Sequence, residues 1–287
     1  MDLRAILMGM SFALMWSSAF TSARVIVQYA PPMASLSLRF LVSGLIGIGI
    51  AYALGQRAQL TRAQWKSTIV FGVCQNALYL GLFFVAMQTI EASLAAIIAA
   101  TMPLLVALFG WALGDRPRPL GMFGLVAGVV GVALIMGARL SGQVDVVGIA
   151  LCAVGVVALA VATMSVRGAS SGGNVLMIVG LQMLVGSAVL AVPAALLEDM
   201  TVTLSWQLVV AFIYTTLVPG LTATLVWFLL VQRVGAIKAA TFHFLNPFFG
   251  VAIAAMLLGE GLGLLDYVGV AIIAVGILAV QLSKQQT

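Results

Sequence analysis

Charge is scarce in this sequence. Of 287 residues, 13 are Lys or Arg and 8 are Asp or Glu, 7% in all, against about 25% in an ordinary soluble domain. So few charged side chains cannot cover a water-soluble chain of this length, and a mean hydropathy of +1.20 points to lipid as the solvent. The same shortage excludes a disordered chain and an ordinary nucleic-acid binder. The two cysteines, Cys74 and Cys152, lie in apolar runs where a thiol behaves as a small hydrophobe, so neither a disulfide scaffold nor a thiolate metal site is indicated. His243 is the one histidine and has no acid cluster beside it, so no metal site is expected. Nothing resembles a nucleotide-binding loop, which disfavours direct ATP coupling, and no other cofactor is called for.

What the sequence has in quantity is apolar residues, 63% of the total. A helix needs about 20 of them to cross about 30 Å of hydrocarbon, and charges, Pro and Gly should punctuate successive crossings. Ten such segments are expected, at 5–28, 33–54, 66–88, 92–113, 120–138, 146–166, 175–197, 207–231, 236–258 and 263–282. The fold class is therefore an all-α membrane protein with ten crossings, short connections and antiparallel neighbours. The first segment carries a small-residue stretch, Ser17 to Ala23, but its apolar run exceeds a typical signal-peptide core, so it reads as a span.

Positive residues in short loops stay cytoplasmic during insertion. With the N-terminus inside, Arg4, Arg57, Arg62, Lys66, Arg116, Arg118, Arg167, Arg233, Lys238 and Lys284 fall on the cytoplasmic side. Glu91, Asp145, Glu198, Asp199, Glu260 and Asp266 gather opposite, with Arg24, Arg39 and Arg139 near them. Both termini are expected in the cytoplasm, and the net charge of +5 reflects topology rather than an anionic ligand.

The chain repeats itself. Ala92 to Pro103 aligns with Ala236 to Pro247 at a single offset, matching Ala92, Ala95, Ala96 and Pro103 to Ala236, Ala239, Ala240 and Pro247. With one residue inserted, Gly114-Asp115 meets Gly259-Glu260, Gly124 meets Gly269 and Gly131 meets Gly276. Near the front of each half, Arg24 matches Arg167 at an offset shorter by one. The expected domains are residues 1–140 and 144–287, each with five crossings. Five is odd, so the second copy enters from the opposite face, giving the inverted repeat typical of secondary transporters with a midplane site.

At this point the residues resemble a family. Trp16-Ser-Ser-Ala-Phe20, Pro32 with Arg39-Phe40, and the doubled Pro, Gly-Asp/Glu and spaced Gly are similar to EamA-type members of the drug/metabolite transporter superfamily, most of all to the bacterial aromatic amino acid exporter group. The resemblance implies an inner-membrane carrier whose central cavity is lined by the first, third, fourth, sixth, eighth and ninth helices. The second half departs from the pattern, with Ala158-Leu159 opposite Trp16 and Gln182 opposite Arg39.

Several mid-span residues could carry chemistry. Pro103 and Pro247 each remove an N–H and displace the carbonyl four residues earlier, at Ala99 and His243, so they are expected to kink their helices and act as hinges; Pro219-Gly220 is a third hinge candidate. His243 is read as a contact for a substrate carboxylate, a proton relay, or a neutral imidazole bonded to a neighbouring helix. Gln75, Asn76, Tyr79, Thr101, Met102, Thr163, Met164, Tyr214, Thr215, Trp227 and Asn246 offer hydrogen-bonding or soft apolar surface at membrane depth. Trp16 is displaced from the interfacial belt where Trp usually sits. Arg39 and Glu91, near the outer ends of their spans, are read as a pair or as snorkelling side chains. Gly124, Gly128 and Gly131, with Gly269 and Gly276, permit close helix contact, in the bundle or across a dimer face, so monomer and homodimer both stay open.

The function expected is export of amino acids, aromatic and other apolar ones included, by alternating access, with the bilayer and the small-molecule substrate as partners and no nucleic acid. The alternative in the same class is efflux of drugs or other metabolites. A membrane-embedded enzyme would need a nucleophile with a base at membrane depth, and no mid-span Asp or Glu is present, so no enzymatic activity is expected. Proton exchange and facilitated diffusion are both compatible with the sequence.

Overall fold

The structure is a computed structural model that describes residues 3–114, 118–140, 145–165, 174–234, 239 and 241–285. Asp115, Arg116, Arg167, Ala236, Lys238 and Ala240, which the loop and repeat readings used, lie outside the described residues, as do the side chains of Arg139 and Lys284. The chain is all-helical, with no strand among the described residues. In order it forms α1 (Leu3–Tyr29), α2 (Pro32–Ala53), α3 (Arg62–Phe71), a π turn (Gly72–Tyr79), α4 (Leu80–Ala86), α5 (Ala92–Ala100), α6 (Met102–Ala112), α7 (Pro119–Leu140) and α8 (Val146–Ser165). There follow α9 (Val175–Leu197), α10 (Trp206–Thr215), a second π turn (Thr216–Thr222), α11 (Ala223–Val234), a 3₁₀ turn (Thr241–Leu245), α12 (Asn246–Leu258) and α13 (Leu264–Gln285). Counting α3 to α4, α5 to α6 and α10 to α11 as continuous rods, eight helices among the described residues are long and apolar enough to cross a membrane, and two shorter apolar helices cover Pro119–Ile135 and Phe242–Leu258. Large apolar side chains such as Leu7, Leu14, Leu45, Val129 and Leu196 stay exposed, as expected of helices whose outer face meets acyl chains.

Helix ends follow local chemistry. The third rod starts at Arg62, ahead of the expected Lys66, because Thr61 and Gln64 form a reciprocal cap: Gln64 Oε1 accepts from the Thr61 N–H at 2.8 Å and Thr61 Oγ1 from the Gln64 N–H at 3.3 Å. Ser205 caps α10 through the Leu208 N–H. Gly259 ends α12 with φ of 66°, a left-handed conformation that only glycine adopts freely. Asp145 caps α8, and the Thr89 hydroxyl, donating at 2.6 Å, holds its carboxyl below the usual range, with the Val147 and Gly148 N–H groups adding to the effect.

The chain divides into two compact units. Unit 2 comprises Ser22–Gln88 and Leu151–Leu225. Its spine is the antiparallel pair α2 and α9. Glu198, just past the end of α9, accepts from the N–H groups of Met33 and Ala34 at the start of α2, at 2.7 and 2.8 Å. Ser37 and Ser187 each donate to the other's carbonyl at 2.9 and 2.8 Å. Gly44 and Gly180 bring the backbones so close that a Cβ on either would lie 3.0 Å from the other's carbonyl oxygen, and Gln56 Oε1 accepts from the Met177 N–H at 3.2 Å. Lipid gives no hydrophobic reward for helix association, so small residues and interhelical hydrogen bonds supply the contact.

Unit 1 comprises Met1–Thr21, Thr89–Ala150 and Val226–Thr287 and is built the same way. Here α7 and α13 run antiparallel: a Cβ on Gly124 would lie 2.5 Å from the Gly276 carbonyl, and one on Gly131 2.9 Å from the Gly269 carbonyl. The Gly124 to Gly131 stripe is thus spent inside the bundle. The second pair, α5 and α12, is also antiparallel. Glu260, past the end of α12, accepts from the N–H groups of Ala92 and Ser93 at 2.7 and 2.9 Å, and Gly250 sits against Ala96.

Candidate functional site

Four of the rods contain a departure from regular α-helix, in two matched pairs. The π turns begin at Gly72 and Thr216, and the restarted helices begin at Met102 and Asn246. Both pairs are separated by the same offset that aligns Pro103 with Pro247 in the sequence repeat. Departures of this kind place backbone carbonyls where a helix does not consume them, and π turns recur at functional sites.

Pro103 and Pro247 are each the second residue of a helix that follows a local break, where a missing N–H costs nothing because no intrahelical acceptor awaits it. At the first restart the Ile98 carbonyl is taken up by the N–H and hydroxyl of Thr101, at 3.1 and 2.6 Å. At the second, the 3₁₀ turn precedes α12 and carries His243. Pro219 does lie inside its distorted segment, the π turn Thr216–Thr222.

In unit 1 this second restart faces a group of rings. Phe12 of α1 is buried at the centre, with ring centroids 5.7 Å from Trp16, 4.7 Å from Trp227 and 5.4 Å from His243, the last edge-on. Trp227 and His243 are 5.2 Å apart. Asn246 Nδ2 lies 2.9 Å from His243 Nδ1; with the amide donating, Nδ1 is the acceptor and the imidazole proton sits on Nε2. Ser17 donates to the Asn246 carbonyl at 3.2 Å, fixing α1 to the restart. Asn246 Oδ1 is buried with no partner, a free acceptor beside an aromatic wall. Gly9 makes room for the Phe242 ring, which a Cβ there would meet at 2.3 Å. Trp16, Trp227, His243 and Asn246 are thereby brought together from segments near opposite ends of the sequence. Sequence reasoning missed Phe12 and Ser17. Phe12 precedes Trp16 by one turn, which was the available signal.

In unit 1, Thr101 is committed to the Ile98 carbonyl and Met102 is half-buried at the first restart. In unit 2, Asn76 donates to the Gln182 carbonyl at 2.9 Å and so ties the first π turn to α9. Tyr79 is fully buried against Phe83, with centroids 4.6 Å apart, and Gln75 is half-buried. Thr163 and Thr215 donate to carbonyls on their own helices, at Leu159 and Ala211, and Met164 is half-buried. Tyr214 is 37% exposed on α10. Arg39 does not snorkel: it is buried, with its guanidinium 4.7 Å from the Phe40 ring. Glu91 is the residue preceding α5. Two open concavities lie along Tyr52–Gln59 and Arg62–Val70 and contain none of the candidate residues.

Comparison with known proteins agrees with this architecture. A solved crystal structure superimposes with a TM-score of 0.71 at 20% identity, covering 100% of this chain and 99% of its own, so the fold is shared. The chain is 25% identical over 267 residues to the uncharacterized transporter YvbV of Bacillus subtilis, covering 92% of this chain and 87% of that protein. To the uncharacterized inner membrane transporter YedA of Escherichia coli it is 26% identical over 284 residues, covering 97% and 91%. To the aromatic amino acid exporter YddG of Ancylobacter novellus it is 30% identical over 139 residues, about half of each chain (48% and 48%). The sequence model of the EamA-like transporter family matches residues 3–137 and 146–282. Family and relatives name transporters rather than enzymes, and the apolar helices are those of a multi-pass membrane protein. With the family pattern matched across nearly the whole length, the chain belongs to the EamA-like transporter family.

Proposed function

We propose that this protein is a bacterial inner-membrane carrier that exports amino acids, aromatic and other apolar ones included, by alternating access. The reading takes the ten apolar rods as two inverted five-helix halves, residues 1–140 and 144–287, with both termini cytoplasmic. Its support is the antiparallel registration of α2 with α9, α5 with α12 and α7 with α13, together with distortions that recur at the offset of the sequence repeat. Equivalent helices of inverted halves must run in opposite directions. The two π turns and two restarts, with Pro103, Pro247, Pro219 and Gly220 at or near them, are the points where the rods bend during the cycle.

The observation that carries the substrate class is the ring group of Phe12, Trp16, Trp227 and His243 beside the unpartnered Oδ1 of Asn246. Rings stack on an aromatic or bulky apolar side chain, and the amide oxygen accepts from an ammonium group. An exporter relative, similar over half the chain, supports the same class. Purified protein in liposomes loaded with labelled phenylalanine, leucine, glutamate or a cationic dye tests it. Phenylalanine and leucine should leave faster than glutamate, and Trp16→Ala or Trp227→Ala should raise KM for phenylalanine roughly three- to tenfold. Efflux of the dye with no amino acid would replace this reading with drug efflux.

A further inference from the structure

The most anomalous charge among the described residues is in unit 2. Arg39 lies two turns into α2, about 10 Å along the helix from Pro32, and is 5% exposed. Its Nε is buried with no hydrogen-bond partner. The elements packed on α2 are α9, α4 and the π turn Thr216–Thr222, and none of the three contains an Asp or Glu, nor does α2 itself. Glu198, at the start of α2, is occupied by the Met33 and Ala34 N–H groups. One turn either side of Arg39 on the same face, Ser35 and Ser43 donate to the Pro32 and Thr216 carbonyls, and hydroxyls carry no charge to balance a cation. The Phe40 ring at 4.7 Å offsets only part of the desolvation. A buried guanidinium with a free Nε donor and no carboxylate on the helices packed against it suits an anion that comes and goes.

We propose that Arg39 is an anion site within unit 2, its planar fork taking the two oxygens of a small molecule's carboxylate, with the neighbouring π turn at Pro219-Gly220 as the element that moves to admit it. The position equivalent to Arg39 in the second half is Gln182, so the repeat does not duplicate this charge. This deepens the export reading, on which the identity of the carboxylate as an amino acid's rests; the anion site itself stands on the burial and partners of Arg39.

Binding of phenylalanine, phenylalaninamide, phenylacetate and inorganic phosphate to detergent-purified protein, with phenylalanine efflux from liposomes alongside, tests it. The wild type should bind phenylalanine at least tenfold more tightly than its amide. Arg39→Gln should weaken phenylalanine about 10- to 100-fold and leave phenylalaninamide unchanged. Arg39→Lys, which keeps the charge and the fold but not the fork, should weaken phenylalanine several-fold with the same selectivity. Should Arg39→Gln fail to fold, the Lys variant decides: unchanged binding of both ligands overturns the proposal. Equal wild-type affinity for acid and amide, or binding of phosphate in place of carboxylates, also overturns it, even if phenylalanine is exported. Arg39-dependent binding of phenylacetate with no phenylalanine efflux would instead keep the anion site and overturn the amino acid reading.

Discussion

Units 1 and 2 solve one problem in two ways. Each is clamped by a carboxylate that sits past the end of one helix and caps the start of its antiparallel neighbour, Glu198 in unit 2 and Glu260 in unit 1. Each contains two distorted rods, one from either copy of the repeat. In unit 1, α6 begins after Thr101 and α12 after the 3₁₀ turn, and both carry proline at the second position. In unit 2 the rods continue through π turns, and only the second turn contains proline; Gly72–Tyr79 has none. Two equivalent turns, one without proline, mean that the deviation is set by packing. In the first turn the agent is visible: Gly72 lies against the backbone of α9, and Asn76 hydrogen-bonds the carbonyl of Gln182.

If packing makes the first turn, the largest effect comes from forcing α9 away from it. A Cβ on Gly72 would lie 2.7 Å from both the Gln182 carbonyl oxygen and the Val185 Cβ, and backbone cannot step aside. Gly72→Val should therefore destabilise by about 1 to 3 kcal/mol or more, read as a lower Tm in detergent. Gly220 in the second turn is looser, since its Cβ would meet the Thr215 carbonyl at 3.1 Å and Ser43 Oγ at 3.5 Å. Gly220→Ala should cost under about 1 kcal/mol, and equal losses at the two glycines would erase the contrast between the turns. Next in size is Asn76→Ala, which removes the bond its amide donates to the Gln182 carbonyl at 2.9 Å, for a loss of about 1 kcal/mol.

The carboxylate clamps test the likeness of the units rather than their difference. Each carboxylate takes two N–H groups at a helix start, where the macrodipole adds to the hydrogen bonds. Glu198→Gln and Glu260→Gln should each lower stability by about 1 kcal/mol, by the same route and to a similar extent. A loss at one position with none at the other, in paired thermal melts, would mean that only one unit depends on its clamp.

Much of this plan was legible in the sequence, and the rest was hidden for definable reasons. Apolar run length and loop charge marked the rods because lipid penalises any unpaired backbone or charge, and the doubled Pro and Gly positions marked the equivalent helices. The restarts were legible as sites but not as geometry, since a proline reads alike at position two of a helix and in its middle. Phe12 gave only a weak signal, its place one turn before Trp16, because it is one apolar residue among many, although it joins Trp16, Trp227 and His243. The partners of Glu198 and Glu260 are main-chain groups in the other half of the chain, which no local pattern encodes. Burial of Arg39 was equally invisible, because two turns into a span is within reach of the interface for a long side chain.

The smallest expected effect belongs to Pro219, and it bears most directly on how the π turns arise. Proline in a helix interior ordinarily removes a hydrogen bond and forces a bend, so the second turn has an evident local cause that the first lacks. Yet the first turn exists without one, and the two begin at equivalent positions. Pro219→Ala should therefore keep the turn, shift stability by less than about 1 kcal/mol, and leave phenylalanine efflux within about threefold of wild type. Were proline the cause, the substitution would let the rod close into regular helix, with Tm rising by several degrees while efflux collapsed. That pairing of a gain in stability with a loss of transport would show that the halves reach the same shape by unrelated means.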